Sequence, residues 1–199
     1  MSSNLTFTAK RGAEIASVVE ALGKLRIAVF HAYPYLYEGT LDYEKDYLQT
    51  YVKAPRSFLF AVYDGHEMVG ATTGIPLSDE TADVRQPFEE AGFDLNTIFY
   101  FGESILLPAY RGLGLGHRFF DEREAHARSF NTYTVTCFCA VEREENHPEK
   151  PQDYRPNDAF WTKRGYRKEP SLLTHFEWPD IGQTHSTTKK MVYWKRTLY

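Results

Sequence analysis

Residues 98–130 constrain the fold more than any other stretch. They run from an apolar segment, IFYFGESILLP (98–108), through the loop YRGLGLGHR (110–118) into LGHRFFDEREAHARSF (115–130). The first segment is composed like a central strand. The last reads as a helix, with Glu124 and Arg128 spaced for i,i+4 support. A chain that passes from strand to helix through three alternate glycines is built around a sheet with helices packed on it.

The remaining segments fit that plan. LTFTA (5–9) alternates like a strand, and residues 12–32 carry a helical stripe of Ile15, Val18, Val19, Leu22, Leu25 and Val29. After the turn-prone, aromatic YPYLYEGT, a second amphipathic helix is expected at 41–54, closed by Pro55. SFLFAVYD and EMVGATTGIPL flank Asp64-Gly65-His66 as an antiparallel hairpin. Residues 78–97 are polar and read as an inserted excursion with one short helix at 86–91. TYTVTCFCAV (132–141) is another strand, followed by a Pro-rich loop, a short helix in NDAFWTKRG, and a terminal hairpin of LLTHFEW and MVYWKRTLY. The sum is an α+β domain with a mixed sheet over residues 1–199.

Composition narrows the function. The chain has 42% hydrophobic and 16% aromatic residues, which is globular with an aromatic excess. A net charge of −4 supplies no bulk attraction for nucleic acid or an anionic membrane, so any anion site is local. The N-terminus MSSNLTFTAKRG lacks a signal-peptide apolar region and no run reaches membrane-span length, so the expectation is a cytoplasmic protein without membrane partners. Cys137 and Cys139 share one face of a strand, which suits core packing better than a disulfide or a zinc site. The histidines show no metal-ligand spacing, and no metal is implied.

The glycine loop fails both common phosphate-binding patterns. The dinucleotide fingerprint requires glycine at i, i+2 and i+5, but counting from Gly112 or Gly114 reaches His117 or Phe119. The P-loop's second glycine would also fall on His117. What remains is a strand, a proline, a loop almost without side chains and a helix start. Such a loop lets backbone N–H groups approach an anion at the positive end of the helix. Arg111, His117 and Arg118 add positive potential. A tight turn with no ligand is the other reading of the same glycines.

Arg111-Gly112-Leu113-Gly114-Leu115-Gly116 is similar to the Arg/Gln-x-x-Gly-x-Gly/Ala signature of the GNAT superfamily of acetyltransferases, in the same strand-to-helix context. The order of elements resembles that family over nearly the whole chain, and FWTKRGY (160–166) resembles the end of its penultimate helix. The resemblance implies a three-layer α/β/α-like fold with a mixed, mainly antiparallel sheet of about seven strands and about four helices. It also implies acetyl-coenzyme A as co-substrate, with its pyrophosphate on Arg111, Gly112, Gly114, Gly116, His117 and Arg118. By the same analogy the Leu106 N–H holds the acetyl carbonyl, and Asn157 and Trp161 contact the cofactor.

Many family members carry Tyr at the position of Trp161, where it can protonate the departing thiolate. Indole is no useful acid, so either the thiolate, with its low pKa, leaves unassisted or another group serves; Tyr154 is nominated, with Tyr133 and Tyr166 as alternatives and Tyr166 expected in the core. Glu103, a carboxylate in an apolar strand, is nominated as the base, because burial would raise its pKa. An ion pair to a neighbouring strand or a basic loop residue explains it equally. Tyr33, Tyr35 and Tyr37 can surround an amine with aromatic faces, or simply pack the turn between the first two helices. The acidic group Glu142, Glu144, Glu145 and Asp153 can attract a cation or form a solvated face. Two functions therefore stand: N-acetyl transfer to the primary amine of a small molecule, amino acid or peptide by direct attack, and acyl-coenzyme A binding without turnover. Monomer and homodimer both stay open.

Overall fold

The computed structural model describes residues 4–199; the first three residues of the N-terminal stretch read above lie outside them. Strands β1 (Leu5–Arg11), β2 (Phe58–Asp64), β3 (Glu67–Pro76), β4 (Ile98–Tyr100), β5 (Ser104–Leu106), β6 (Val135–Val141), β7 (Arg167–Trp178) and β8 (Thr187–Thr197) form one mixed sheet. Its order is β1-β2-β3-β4-β6-β8-β7, with β5 paired to β3. Only β4 and β6 run parallel. Helices α1 (Val19–Phe30), α2 (Leu41–Lys53), α3 (Ala82–Glu90), α4 (Leu115–Arg128) and α5 (Asp158–Lys163) complete the fold.

Alternation along the strands sorts the core into two faces. Leu59 and Ala61 of β2, with Cys137 and Cys139 of β6, pack against Leu22, Leu48 and Phe88 from α1, α2 and α3. Phe58, Phe60 and Val62 point the other way, toward Leu115 and Phe119 of α4, while Phe99, Phe101 and Phe138 meet Phe120 and, from α5, Phe160 and Trp161. Both cysteines are free and buried. Burial pushes the Cys139 thiol up to about 12.

Three sequence expectations change. The helix expected over 12–32 is divided, because Gly12–Val18 forms a 3-10 segment and Val18 (φ −128°, ψ 6°) leaves the helical region before α1 starts. In the excursion, the helix expected at 86–91 is α3, starting at Ala82 and burying Val84 and Phe88. Pro87 lies inside it and cannot donate to the Asp83 carbonyl four residues back. The Thr174 hydroxyl of β7 donates to that carbonyl instead (2.6 Å), tying the excursion to the terminal hairpin.

The third change shapes the site. The single strand expected over 98–108 is interrupted at Phe101–Glu103. Thr73 of β3 faces two residues there: its carbonyl accepts from Gly102 N–H (3.2 Å) and its N–H donates to the Glu103 carbonyl (3.1 Å), a β-bulge. The last link across to β6 is Phe101 N–H to the Cys137 carbonyl (2.7 Å). Beyond it β5 pairs only with β3 and β6 only with β8, so the two strands part.

Candidate active site

The glycine loop sits at the end of β5. Gly112 and Gly114 both have φ +78°, and a Cβ on either would meet no atom within 4 Å. Both glycines thus serve a left-handed backbone facing open space. Gly116 differs, since a Cβ there would meet Phe160 at 3.5 Å. The His117 and Arg118 N–H groups donate back to the Gly114 carbonyl (3.1 and 3.3 Å). Those of residues 112–116 find no acceptor among the described residues. The loop therefore presents free amides at the positive end of the 14-residue α4.

Of the basic residues around it, Arg111 is exposed and reaches the Leu106 carbonyl (3.4 Å). His117 is exposed, edge-on to Phe160. Arg118 turns to other partners, with its guanidinium 3.7 Å from the Phe7 ring centroid and 3.4 Å from Glu122. Leu106 lies where β5 and β6 part. Thr73 N–H bonds the Glu103 carbonyl and Leu107 N–H bonds the Val69 carbonyl (2.9 Å), so the odd-numbered residues from 103 to 107 turn their backbone polar groups to β3. The Leu106 N–H then points the other way, into the gap.

At the opposite end of β5 is a cavity of ≈580 Å³. Phe30, Tyr35, Tyr37, Tyr43, Tyr47 and Trp178 supply aromatic walls, and Asp83, Glu103 and Glu177 supply carboxylates. Tyr33 lies elsewhere, packed on Tyr154 (4.7 Å) and His147 (5.7 Å). Glu142, Glu144, Glu145 and Asp153 do not line the cavity. Lys168 and Lys190 pair with Glu142 and hold it below the usual carboxylate range, on a solvated face.

Glu103 is buried, but it is not an isolated carboxylate. Arg26 of α1 forms ion pairs with both Glu103 and Glu44, and the Thr73 hydroxyl donates to Glu103. The Arg26 guanidinium lies 4.3 Å from the Tyr47 ring centroid and 5.1 Å from that of Phe30. The partner is therefore a buried helix residue rather than the strand or loop residue considered above. The lone-carboxylate premise behind Glu103 as base does not hold.

Of the tyrosines weighed as acids, Tyr133 and Tyr166 are buried, the latter in the core with its hydroxyl on Glu124 (3.2 Å). Tyr154 is half-buried, and burial, then Tyr33 and Asp158, raise its pKa. Trp161 packs against Phe138 (4.9 Å) and Trp194 (5.2 Å). Asn157 precedes α5, exposed, its carbonyl accepting from Trp161 N–H (2.9 Å). Among the described residues, no group of three or more His, Cys, Asp or Glu side chains is placed to hold a metal ion, and no helix is long and apolar enough to cross a membrane.

Sequence reasoning missed Arg26, Glu44, Tyr43, Tyr47, Glu80 and Trp178. A signal existed for two of them. Arg26 follows Leu22 by four positions and Glu44 precedes Leu48 by four, so each places a charge on the apolar stripe of its helix.

A family model for the acetyltransferase (GNAT) family matches residues 25–151. The fold is similar to Arabidopsis thaliana NAA60 in complex with a bisubstrate analogue, at 14% identity and a TM-score of 0.60 over 96% of this chain and 98% of that one. It is also similar to the ribosomal-protein-S18-alanine N-acetyltransferase of Escherichia coli, at 10% identity and a TM-score of 0.58 over 98% and 94%. A third is yncA of Salmonella typhimurium, solved with its cofactor acetyl-CoA, at 11% identity and a TM-score of 0.53 over 98% and 94%. No curated protein matches the chain. The structural likenesses carry the fold alone, whereas the family match covers more than half the chain, from α1 through the glycine loop to beyond β6: the chain belongs to the GNAT acetyltransferase family.

Proposed function

We propose that the protein transfers the acetyl group of acetyl-coenzyme A to a primary amine that enters the aromatic cavity as a cation. The observation that carries this reading is the placement of two sites at the ends of one short strand. Glu103, just before β5, lines the cavity, while Leu106, its last residue, turns an N–H into the gap that leads to the glycine loop. Three residues of strand span roughly 10 Å, which puts an acyl donor and an amine within reach of each other.

The free amides of residues 112–116 and the start of α4 suit a pyrophosphate, and the open space before Gly112 and Gly114 admits it. Bound acetyl-coenzyme A supplies a thioester carbonyl carbon for direct attack. The Leu106 N–H stabilises the carbonyl oxygen as charge develops on it. Tyr154, packed edge-on against Tyr33, is the acid of this reading. Its raised pKa keeps it protonated and able to donate to a leaving sulfur. Trp161 serves as an aromatic wall of α5.

Cation recognition rests on the aromatic faces and the surplus of carboxylates over Arg26, the one Arg or Lys lining the cavity among the described residues. Free-thiol release from acetyl-coenzyme A, measured across small amines, amino acids and peptides, tests the reading. At least one amine should accelerate release above the background with water. If coenzyme A raises Tm but no amine accelerates release, the protein is an acyl-coenzyme A binding module. Its fixed Glu103–Arg26 pair and the Trp at position 161 favour that second reading.

A further inference from the structure

We propose that Glu80, reached through the hydroxyl of Tyr51, takes the proton that the acceptor ammonium must lose before it can attack, and that Glu103 serves as the fixed partner of Arg26. This rests on the acetyl-transfer reading above and names its proton acceptor.

Three carboxylates are buried in and around the cavity: Glu44, Glu80 and Glu103 are 0%, 4% and 2% exposed. Arg26 occupies two of them, and protonating Glu103 or Glu44 would break a buried ion pair. Glu80 has only neutral donors. The Tyr51 hydroxyl donates to one oxygen (3.0 Å) and Thr81 N–H to the other (2.9 Å). Thr81 itself lines the cavity, so the carboxylate lies directly behind the wall.

The path to it follows from the bulge. Gly102 lines the cavity, and a Cβ there would overlap the Tyr51 hydroxyl and come within 2.7 Å of Thr73 Oγ1. The missing side chain is what lets the phenol sit beside the cavity and still reach Glu80. Tyr47, one turn earlier on α2, lines the cavity beside it, the two ring centroids 6.0 Å apart. The ammonium N–H proton passes to the Tyr51 oxygen as the Tyr51 proton moves to Glu80. The N–H electron pair stays on nitrogen, leaving a neutral amine and a protonated Glu80, which discharges to solvent through the same hydroxyl after turnover.

The groups facing Glu80 fit a proton acceptor. Burial raises its pKa above that of a solvated carboxylate. Thr81 and Tyr51, then Arg26 of α1 and Arg85 of α3, oppose that rise. Tyr100, Cys137, Cys139 and Tyr193 on the sheet are neutral neighbours whose own ionisation is pushed up.

The test is the pH profile of kcat/KM for Glu80→Gln, Tyr51→Phe and the double variant, with Tm and the coenzyme A-induced Tm shift measured alongside. Each single variant should lower kcat/KM at neutral pH by about 100-fold and flatten the acid limb, with the double variant no worse. The coenzyme A shift should persist. A variant that folds, binds coenzyme A and keeps the wild-type acid limb overturns the proposal, and Tyr51→Phe decides it if Glu80→Gln does not fold. Infrared titration of the protein alone supplies a second readout. The carboxyl band absent from Glu80→Gln should titrate above the solvated-glutamate range in wild type, and titration within that range overturns the proposal. Absence of turnover by the wild type with every amine refutes the acetyl-transfer reading and this one with it, whereas normal turnover with unaffected variants refutes this one alone.

Discussion

Replacing Gly114 by alanine separates the loop's service to the fold from its service to a ligand. Gly114 has φ +78° and ψ −2°, so an L side chain there costs about 1 kcal/mol. A Cβ meets no atom within 4 Å, so no packing penalty adds to that cost. The expected loss of Tm without ligand is about 2–4 °C for a chain of this size. The methyl group does, however, stand in the open space before the α4 amides. With coenzyme A at a hundredfold excess over Kd, binding should add about 2.7 kcal/mol to the wild type. A tenfold weaker Kd at the same concentration leaves about 1.4 kcal/mol, so the ligand-induced rise in Tm should fall by roughly half. Gly116→Ala is the contrasting case. Its Cβ would touch Phe160 at an ordinary 3.5 Å, in a helix that favours alanine, so stability without ligand should hold or rise slightly. Differential scanning fluorimetry with and without coenzyme A measures both quantities. A Gly114→Ala protein with an unchanged ligand-induced rise refutes the loop as the anion cradle. A loss well above 3 kcal/mol without ligand refutes the claim that the space before Gly114 is empty.

Arg26→Met should destabilise the protein by about 3–5 kcal/mol, since it leaves Glu44 and Glu103 buried without their cation; chemical denaturation at pH 7 measures this, and a loss under about 1 kcal/mol would show the pairs to be unimportant. Glu80 has a folded pKa above its unfolded value, so its contribution to stability is present below the unfolded value near 4.5 and lost as pH rises through the folded one. Glu80→Gln should therefore flatten the fall in Tm between mildly acidic and neutral pH, and a profile parallel to that of wild type contradicts the assignment.

How far the sequence could be read depended on whether a feature was local. The β2–β3 turn, the α2 boundary at Pro55, the paired faces of Cys137 and Cys139, and the glycine loop before α4 all follow from residues within one or two turns of each other. Periodicity and glycine conformation suffice for these. The expectations that changed over 78–108 were non-local. The excursion over 78–97 reads as polar with a helix only at 86–91 because its two anchors, Val84 and Phe88, are few in number, and because the hydroxyl that completes the Pro87 helix comes from Thr174 on β7.

The candidate site divides the same way. The glycine-loop end is written in one stretch of chain, Leu106 to Arg118, whose alternate glycines before a helical pattern point to free amides at a helix start. The cavity end is assembled from α1, α2, the excursion, β4, the bulge, β6 and the terminal hairpin, and no segment of it is recognisable alone. Whether Glu103 is a free base or half of an ion pair depended on which face of α1 met β5. That is a matter of tertiary packing, because desolvation and charge pairing act through space and not along the chain.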